Sequence, residues 1–360
     1  MRLLWASQLV GSGIVYGYSS FANNMRSALS AAGVEIVEKA DEPFDIAVHF
    51  ITPMHFRPIP GAVNLIATMF ECTTLPESWI APINAADIIV VPCRNNRDLF
   101  RNYTTRPVEI CKLGIDPTLF TYKERTEPRK DEPFRFIWVG APSTRKGWGF
   151  LPRIWVEWLR SGKIPPNVHL TMKTSDTESG EQVVTYKAGM RDGKMDFDDA
   201  RNMPPEAPEL PGIVIDTRNY FDEELIDLYH SAHALILPSL GEGWGLTLCE
   251  GMATGLPCIW THWGGPRDFA DETIGYPLVK YWFNPLDVIQ KVGKDGSTIK
   301  HATTGAVPDP KEILHHMTRI YENYPLALEK GKRASERMHA QYKWSDAAAR
   351  FIEICDRYGR

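Results

Sequence analysis

The chain has 360 residues, of which 43% are hydrophobic and 24% charged, with Gly and Pro at 27 each. That composition excludes a disordered, collagen-like or coiled-coil protein, and the length exceeds what one hydrophobic core usually serves. Forty basic and forty-five acidic side chains leave a net charge of −5, so bulk charge draws the chain neither to nucleic acid nor to an anionic membrane.

The opening Met1-Arg-Leu-Leu-Trp-Ala-Ser7 is interrupted by polar residues and glycines too soon for a secretory signal and reads as a first strand. No apolar run reaches the roughly eighteen residues that a spanning helix needs. Six cysteines (Cys72, Cys93, Cys111, Cys249, Cys258, Cys355) form no C-x-x-C pair and sit in apolar runs, which predicts reduced core residues and a cytoplasmic location.

Short runs rich in β-branched residues are predicted as strands over Arg2–Ala6, Asp45–Phe50, Asp87–Val91, Phe134–Val139, Val168–Met172, Ala234–Leu237 and Pro257–Trp260. Helical patterns lie between them, an alternation that gives parallel sheets buried on both faces. Two echoes, Arg2-Leu-Leu-Trp5 with Arg135-Phe-Ile-Trp138 and Ala86–Pro92 with Ala232–Pro238, recur in the same order and predict two Rossmann-like domains. Tyr122–Pro133 crowds charges and prolines with almost nothing apolar and is the expected boundary. The stretch from Thr174 to Pro211 reads as a polar insertion or long loop. Asp309-Pro-Lys-Glu312 is a helix start, and Ser345 is the expected cap of a final helix.

The densest signal runs from Leu235 to Trp260: a strand, the loop Gly241-Glu-Gly-Trp-Gly245, a helix from about Leu246, and another strand. Backbone N–H groups at a helix start fed by a glycine-rich loop form an anion site, here near Gly245, Leu246 and Thr247. Gly243 and Gly245 are expected to let the main chain approach a ligand. Glu242 and Glu250 flank that site, and carboxylates beside a phosphate site suit sugar hydroxyls better than phosphate.

Glu242-x7-Glu250 within P-S-x-x-E-G-x-G-L-x-x-x-E, followed by Gly255-Leu-Pro257 and Gly264-Gly265, resembles the retaining nucleotide-sugar glycosyltransferases of family 4, which have the GT-B fold. Other pieces fall in family order: Gly11-Ser-Gly13, Lys112-Leu-Gly-Ile-Asp116, Phe136–Gly140 leading to Arg145-Lys146-Gly147, and Phe221–Leu225. The resemblance implies two facing Rossmann-like domains: an acceptor-side domain over residues 1–125 and a donor-side domain over 126–335, with a helix over 336–360 packing back on the first. It implies that Glu242 contacts the transferred sugar, Glu250 the ribose, and Arg145 with Lys146 the donor diphosphate. Ser12 and Gly13 are candidates for donor contact, the alternative being a tight βα turn that serves geometry alone. Transfer is then expected to proceed with retention, without metal or cofactor, from a donor such as a UDP- or GDP-sugar.

Two departures stand out. The arginine usual after the glycine at the end of the second domain's first strand is Ala141, so Arg145 is expected to supply that charge. The first domain's histidine has no counterpart, and Glu71 in Met69–Trp79 is the residue expected to line the acceptor side. Alternatives are a nicotinamide-dependent oxidoreductase using Gly11–Gly17 with Glu38, and a non-catalytic nucleotide or glycan-binding module. The acceptor is open among glycan, lipid, protein and a hydroxymethylated DNA base. Asp196-Phe-Asp198 has metal-binding spacing but lies in the polar insertion and is expected to be a solvated loop.

Overall fold

Two parallel six-stranded sheets organise the chain. The computed structural model describes residues 1–6, 17–129, 132–162, 167–174, 186–191, 194–199, 212–292 and 298–359. The first sheet is built from β1 (Arg2–Trp5), β2 (Glu35–Val37), β3 (Ile46–Phe50), β4 (Asn64–Ala67), β5 (Ile88–Val91) and β6 (Val108–Ile110), in the order β2-β1-β3-β4-β5-β6. Helices α1 (Gly17–Ala31), α2 (Glu77–Ala85) and α3 (Arg94–Arg101) connect its strands. β3, β4 and β5 are buried at every position, as a strand covered on both faces must be.

The second sheet uses β7 (Phe134–Val139), β8 (Val168–Lys173), β11 (Ile213–Asp216), β12 (Ala234–Leu237), β13 (Cys258–Thr261) and β14 (Tyr276–Leu278). Its order, β11-β8-β7-β12-β13-β14, is the doubly wound order in which the winding direction reverses between the first strand and the fourth, here β7 and β12. Helices α4 (Leu151–Arg160), α5 (Asp222–Ser231) and α6 (Leu246–Ala253) belong to this half. Between β8 and β11, the described part of the polar insertion is an antiparallel pair, β9 (Tyr186–Arg191) with β10 (Lys194–Asp199), so Asp196 and Asp198 lie on a strand and not in a loop.

A long antiparallel hairpin, β15 (Tyr281–Val292) with β16 (Thr298–Pro308), follows the second sheet. The chain then turns helical through α7 (Pro310–Glu322), α8 (Tyr324–Gln341) and α9 (Trp344–Tyr358). Asp309 caps α7 by accepting from the Lys311 N–H. α9 begins one residue before the expected cap Ser345, because the Asp346 carboxylate accepts from the Lys343 N–H. α9 lies against α1 and the first sheet, with Phe351 stacked on Phe50 at 5.7 Å and Trp344 on Phe21 at 6.4 Å.

The link between the sheets is docked, although its composition predicts nothing to bury. Arg125 donates to the carbonyls of Thr254 (2.6 Å) and Tyr229 (2.9 Å), and Gly255 leaves room for the Tyr122 ring, which a Cβ would meet at 2.6 Å. All six cysteines are buried and unpaired.

Candidate functional site

The loops leaving β7 and β12 part at the reversal point of the second sheet, where doubly wound sheets bind ligands beyond the carboxyl ends of their strands. The β7 loop makes one tight turn at Thr144–Lys146, closed by Gly147 at φ +77°, where a Cβ would come within 2.7 Å of the Pro238 carbonyl. That turn places Lys146 against the β12 loop. Its ammonium donates to both oxygens of Glu242, at 2.7 and 2.9 Å, and the two side chains are 17% and 14% exposed. Arg145 donates to the Gly241 carbonyl at 2.8 Å and lies 3.9 Å from Glu242 and 3.7 Å from Glu71. Burial pushes the Glu242 carboxyl up, but the Lys146 and Arg145 charges overcome it and hold the group below its ordinary value.

Helix α6 starts at Leu246 on the left-handed Gly245, φ +106°. Its first helical bonds are donated by Leu248 and Cys249 to the Gly245 carbonyl, so the N–H groups of Leu246 and Thr247 precede the ladder and face the helix's positive end. One turn on, Glu250 accepts from the Tyr229 hydroxyl of α5 at 2.9 Å. Burial pushes the Glu250 carboxyl up to about 7, with the Tyr229 bond opposing the shift. The site therefore holds two carboxylates of different character, one locked to cations and one poised near neutrality.

Across the cleft, β4 of the first sheet runs into Met69-Phe70-Glu71. Main chain meets main chain at Gly241, where a Cβ would lie 1.9 Å from the Glu71 carbonyl oxygen, and main chain meets side chain at Gly243, where one would lie 2.8 Å from Met69 Sδ. Gly243 thus serves close approach of the other domain, and Gly245 serves its backbone angle. Trp244 is buried and packs on Phe269 (ring centroids 4.9 Å) and Tyr342 (6.0 Å).

The structure brings together Arg145, Lys146, Glu242, Gly243, Gly245 and Glu71, with Glu250, Leu246 and Thr247 on the adjoining helix. Ser12 and Gly13 lie outside the described residues. Tyr229 was not found from sequence; a tyrosine inside a helix, 21 positions before the carboxylate it orients, carries no local signal. Among the described residues no group of three or more His, Cys, Asp or Glu could hold a metal ion, and no helix is long and apolar enough to cross a membrane. Glu38, the acid a nicotinamide reading needs, is exposed and ion-paired with Arg26.

The family described as glycosyl transferases group 1 matches residues 206–294, the segment carrying Glu242 and Glu250. A D-inositol 3-phosphate glycosyltransferase from Pseudarthrobacter chlorophenolicus is 26% identical over 167 residues, 44% of this chain and 34% of the relative, so the match spans about a third of that protein. Among solved structures, sucrose-phosphate synthase from Thermosynechococcus elongatus superposes with a TM-score of 0.65 at 14% identity, covering 99% of this chain and 98% of the other. Anabaena HepE in complex with UDP-glucose gives 0.65 at 12% identity over 99% and 100%. WaaG, a glycosyltransferase involved in lipopolysaccharide biosynthesis, gives 0.59 at 14% identity over 99% of each chain. The fold is GT-B.

Proposed function

We propose that this chain transfers a sugar from a nucleoside diphosphate sugar to an acceptor hydroxyl with retention of configuration, as a family 4 glycosyltransferase does. The observation that carries this reading is the Lys146–Glu242 pair at the reversal point of the second sheet, beside the start of α6. A GT-B neighbour solved with UDP-glucose supports a sugar nucleotide as the donor.

In this reading the donor diphosphate lies over the Leu246 and Thr247 N–H groups and draws on Lys146 and Arg145. Glu250, oriented by Tyr229, accepts from the ribose hydroxyls, and Glu242 accepts from the sugar. As the glycosidic C–O bond breaks, negative charge grows on the departing diphosphate, and the two cations and helix N–H groups interact more strongly with it than in the ground state. That differential binding lowers the barrier. The acceptor oxygen forms the new bond on the same face, its proton passes to the leaving phosphate oxygen, and Glu71 accepts a hydrogen bond from the acceptor. Arg145 and Lys146 supply the neutralising charge, so the reading calls for neither metal nor cofactor. The buried, unpaired thiols fit a cytoplasmic location.

Thermal unfolding with UDP-glucose, GDP-mannose and ADP-glucose tests the reading, because ligand at a hundred times its dissociation constant stabilises by about 2.7 kcal/mol. One of the three should stabilise the protein and be cleaved, with cleavage unchanged by EDTA. No stabilisation by any of them, or cleavage abolished by EDTA, overturns the reading in whole or in its metal-free part.

A further inference from the structure

The hairpin β15–β16 is fastened to both faces of the cleft by one short stretch of β16. On the donor side, the Ala306 N–H donates to the Leu240 carbonyl at 2.7 Å, and the Leu240 N–H donates to the Arg145 carbonyl at 2.6 Å. Gly305 permits this approach, since a Cβ there would meet Leu240 Cβ at 2.9 Å. On the other side, Thr303 Oγ1 accepts from the Thr74 N–H at 3.2 Å and from the Thr74 hydroxyl at 2.9 Å. The hydroxyls of Thr73 and Thr304 are 2.6 Å apart, and His301 Nε2 lies 2.7 Å from the Thr74 carbonyl.

Thr73 and Thr74 follow Glu71 by two and three positions. A single strand therefore ties the loop that carries Glu71 to the loop that carries Glu242, beside their direct contact at Gly241. Hydroxyl and backbone hydrogen bonds do this with a register that apolar packing lacks, because each has a preferred length and direction. Thr303 is buried, so replacing its hydroxyl by a methyl leaves the Thr74 N–H without its acceptor.

We propose that Thr303 and Thr304 are positioning residues for the transfer step, holding the Glu71 loop against Arg145 and Glu242. The inference rests on the reading of the site as a glycosyltransferase centre. The groups assigned to the donor, Arg145, Lys146, Glu242, Glu250 and the start of α6, all lie on the second sheet's elements, so misplacing the opposite loop should slow cleavage while sparing donor binding. A displacement near 1 Å at a reacting centre costs on the order of a hundredfold in rate.

The test uses the full chain with UDP-glucose, or with GDP-mannose if that stabilises the wild type more, and compares Thr303→Val with Thr303→Ser. Valine should lower the kcat of donor cleavage at least about tenfold, with KM for the donor within about twofold, and serine should restore most of the rate. Thr304→Val, which removes the hydroxyl contact with Thr73 and leaves the Thr73 bond to the Thr304 carbonyl, gives the same split in smaller measure and serves if Thr303→Val does not fold. Unchanged kcat in both valine variants, or a serine variant as slow as valine, overturns the positioning role. Wild-type protein that cleaves no sugar nucleotide overturns the functional reading instead.

Discussion

The Lys146 ammonium bridges both oxygens of the Glu242 carboxylate, at 2.7 and 2.9 Å, and both side chains are mostly buried. Each group is the other's main compensation for lost hydration, yet both are assigned to the donor. Lys146→Met leaves the carboxylate with Arg145 as its nearby cation and the Ser239 hydroxyl close by, and should destabilise the fold by about 1–3 kcal/mol, toward the low end of costs for breaking a buried pair because some water still reaches it. Adding Glu242→Gln removes the stranded charge and should return most of that stability, while donor cleavage stays reduced by roughly a hundredfold or more in both variants. Urea unfolding and initial rates on the two proteins check this. A double variant as unstable as the single one would show that the pair is not mutually compensating.

Glu250 gives the site a pH dependence with a defined sign. Its carboxyl sits at about 7 in the folded chain, against an ordinary value of 4.5. Between those values the folded state keeps a proton that the unfolded chain has lost, so this group's contribution to stability declines as pH rises through the window and is level above it. The decline amounts to at most roughly 3 kcal/mol. Glu250→Gln stays neutral throughout, so it should match the wild type near pH 5 and exceed it in stability at pH 8. Donor affinity should behave oppositely: ribose hydroxyls need the ionised carboxylate, so wild-type affinity rises from pH 6 to pH 8 while that of the glutamine variant stays low and flat. Calorimetric titration with UDP-glucose, whose phosphates do not titrate in that range, reads the difference.

Gly241 meets the opposite domain with no space to spare. An added Cβ would sit 1.9 Å from the Glu71 carbonyl oxygen, and a main-chain atom cannot rotate aside as a flexible side chain can. Gly241→Ala should part the two loops, lowering cleavage at least about tenfold with a modest change in donor affinity. Gly149→Ala, where a Cβ would meet nothing within 4 Å, is the matched control and should leave both unchanged. Equal behaviour of the two variants would mean that the loops separate freely during turnover.

The legible parts of this protein are those where residue type alone reports environment. Ile88–Val91 is apolar at every position and buried at every position, so the central strands announce themselves. Glu242 and Glu250 are singled out by the surrounding P-S-x-x-E-G-x-G-L-x-x-x-E pattern and not by residue type, since a carboxylate at a helix start is ordinary chemistry favoured by the dipole. The hairpin is the opposite case. β15 contains Asn284 and Pro285, and over Tyr281–Val288 only Leu286 is buried, so neither alternation nor an apolar run marks it. β2 is three residues long, below the length at which periodicity can be read. Arg125 reads as a linker charge because its partners are main-chain carbonyls from distant segments, and no side-chain pattern encodes those.

Tyr229 offers the sharpest separation of orientation from charge. It is fully buried, and its hydroxyl, whose own pKa burial raises well above the ordinary value, donates to Glu250 Oε2 at 2.9 Å. That bond favours the ionised carboxylate, against the larger effect of burial. Tyr229→Phe removes the bond and little volume, so the Glu250 carboxyl should move further up and the pH at which donor affinity reaches half its plateau should move up with it. At pH 7 the variant should bind UDP-glucose several-fold more weakly, with the deficit shrinking by pH 9, where the carboxylate is ionised in both proteins. If Tyr229 instead acted only through packing, phenylalanine would lower affinity equally at every pH or leave it unchanged, and affinity titrations from pH 6 to pH 9 on the two proteins distinguish these outcomes.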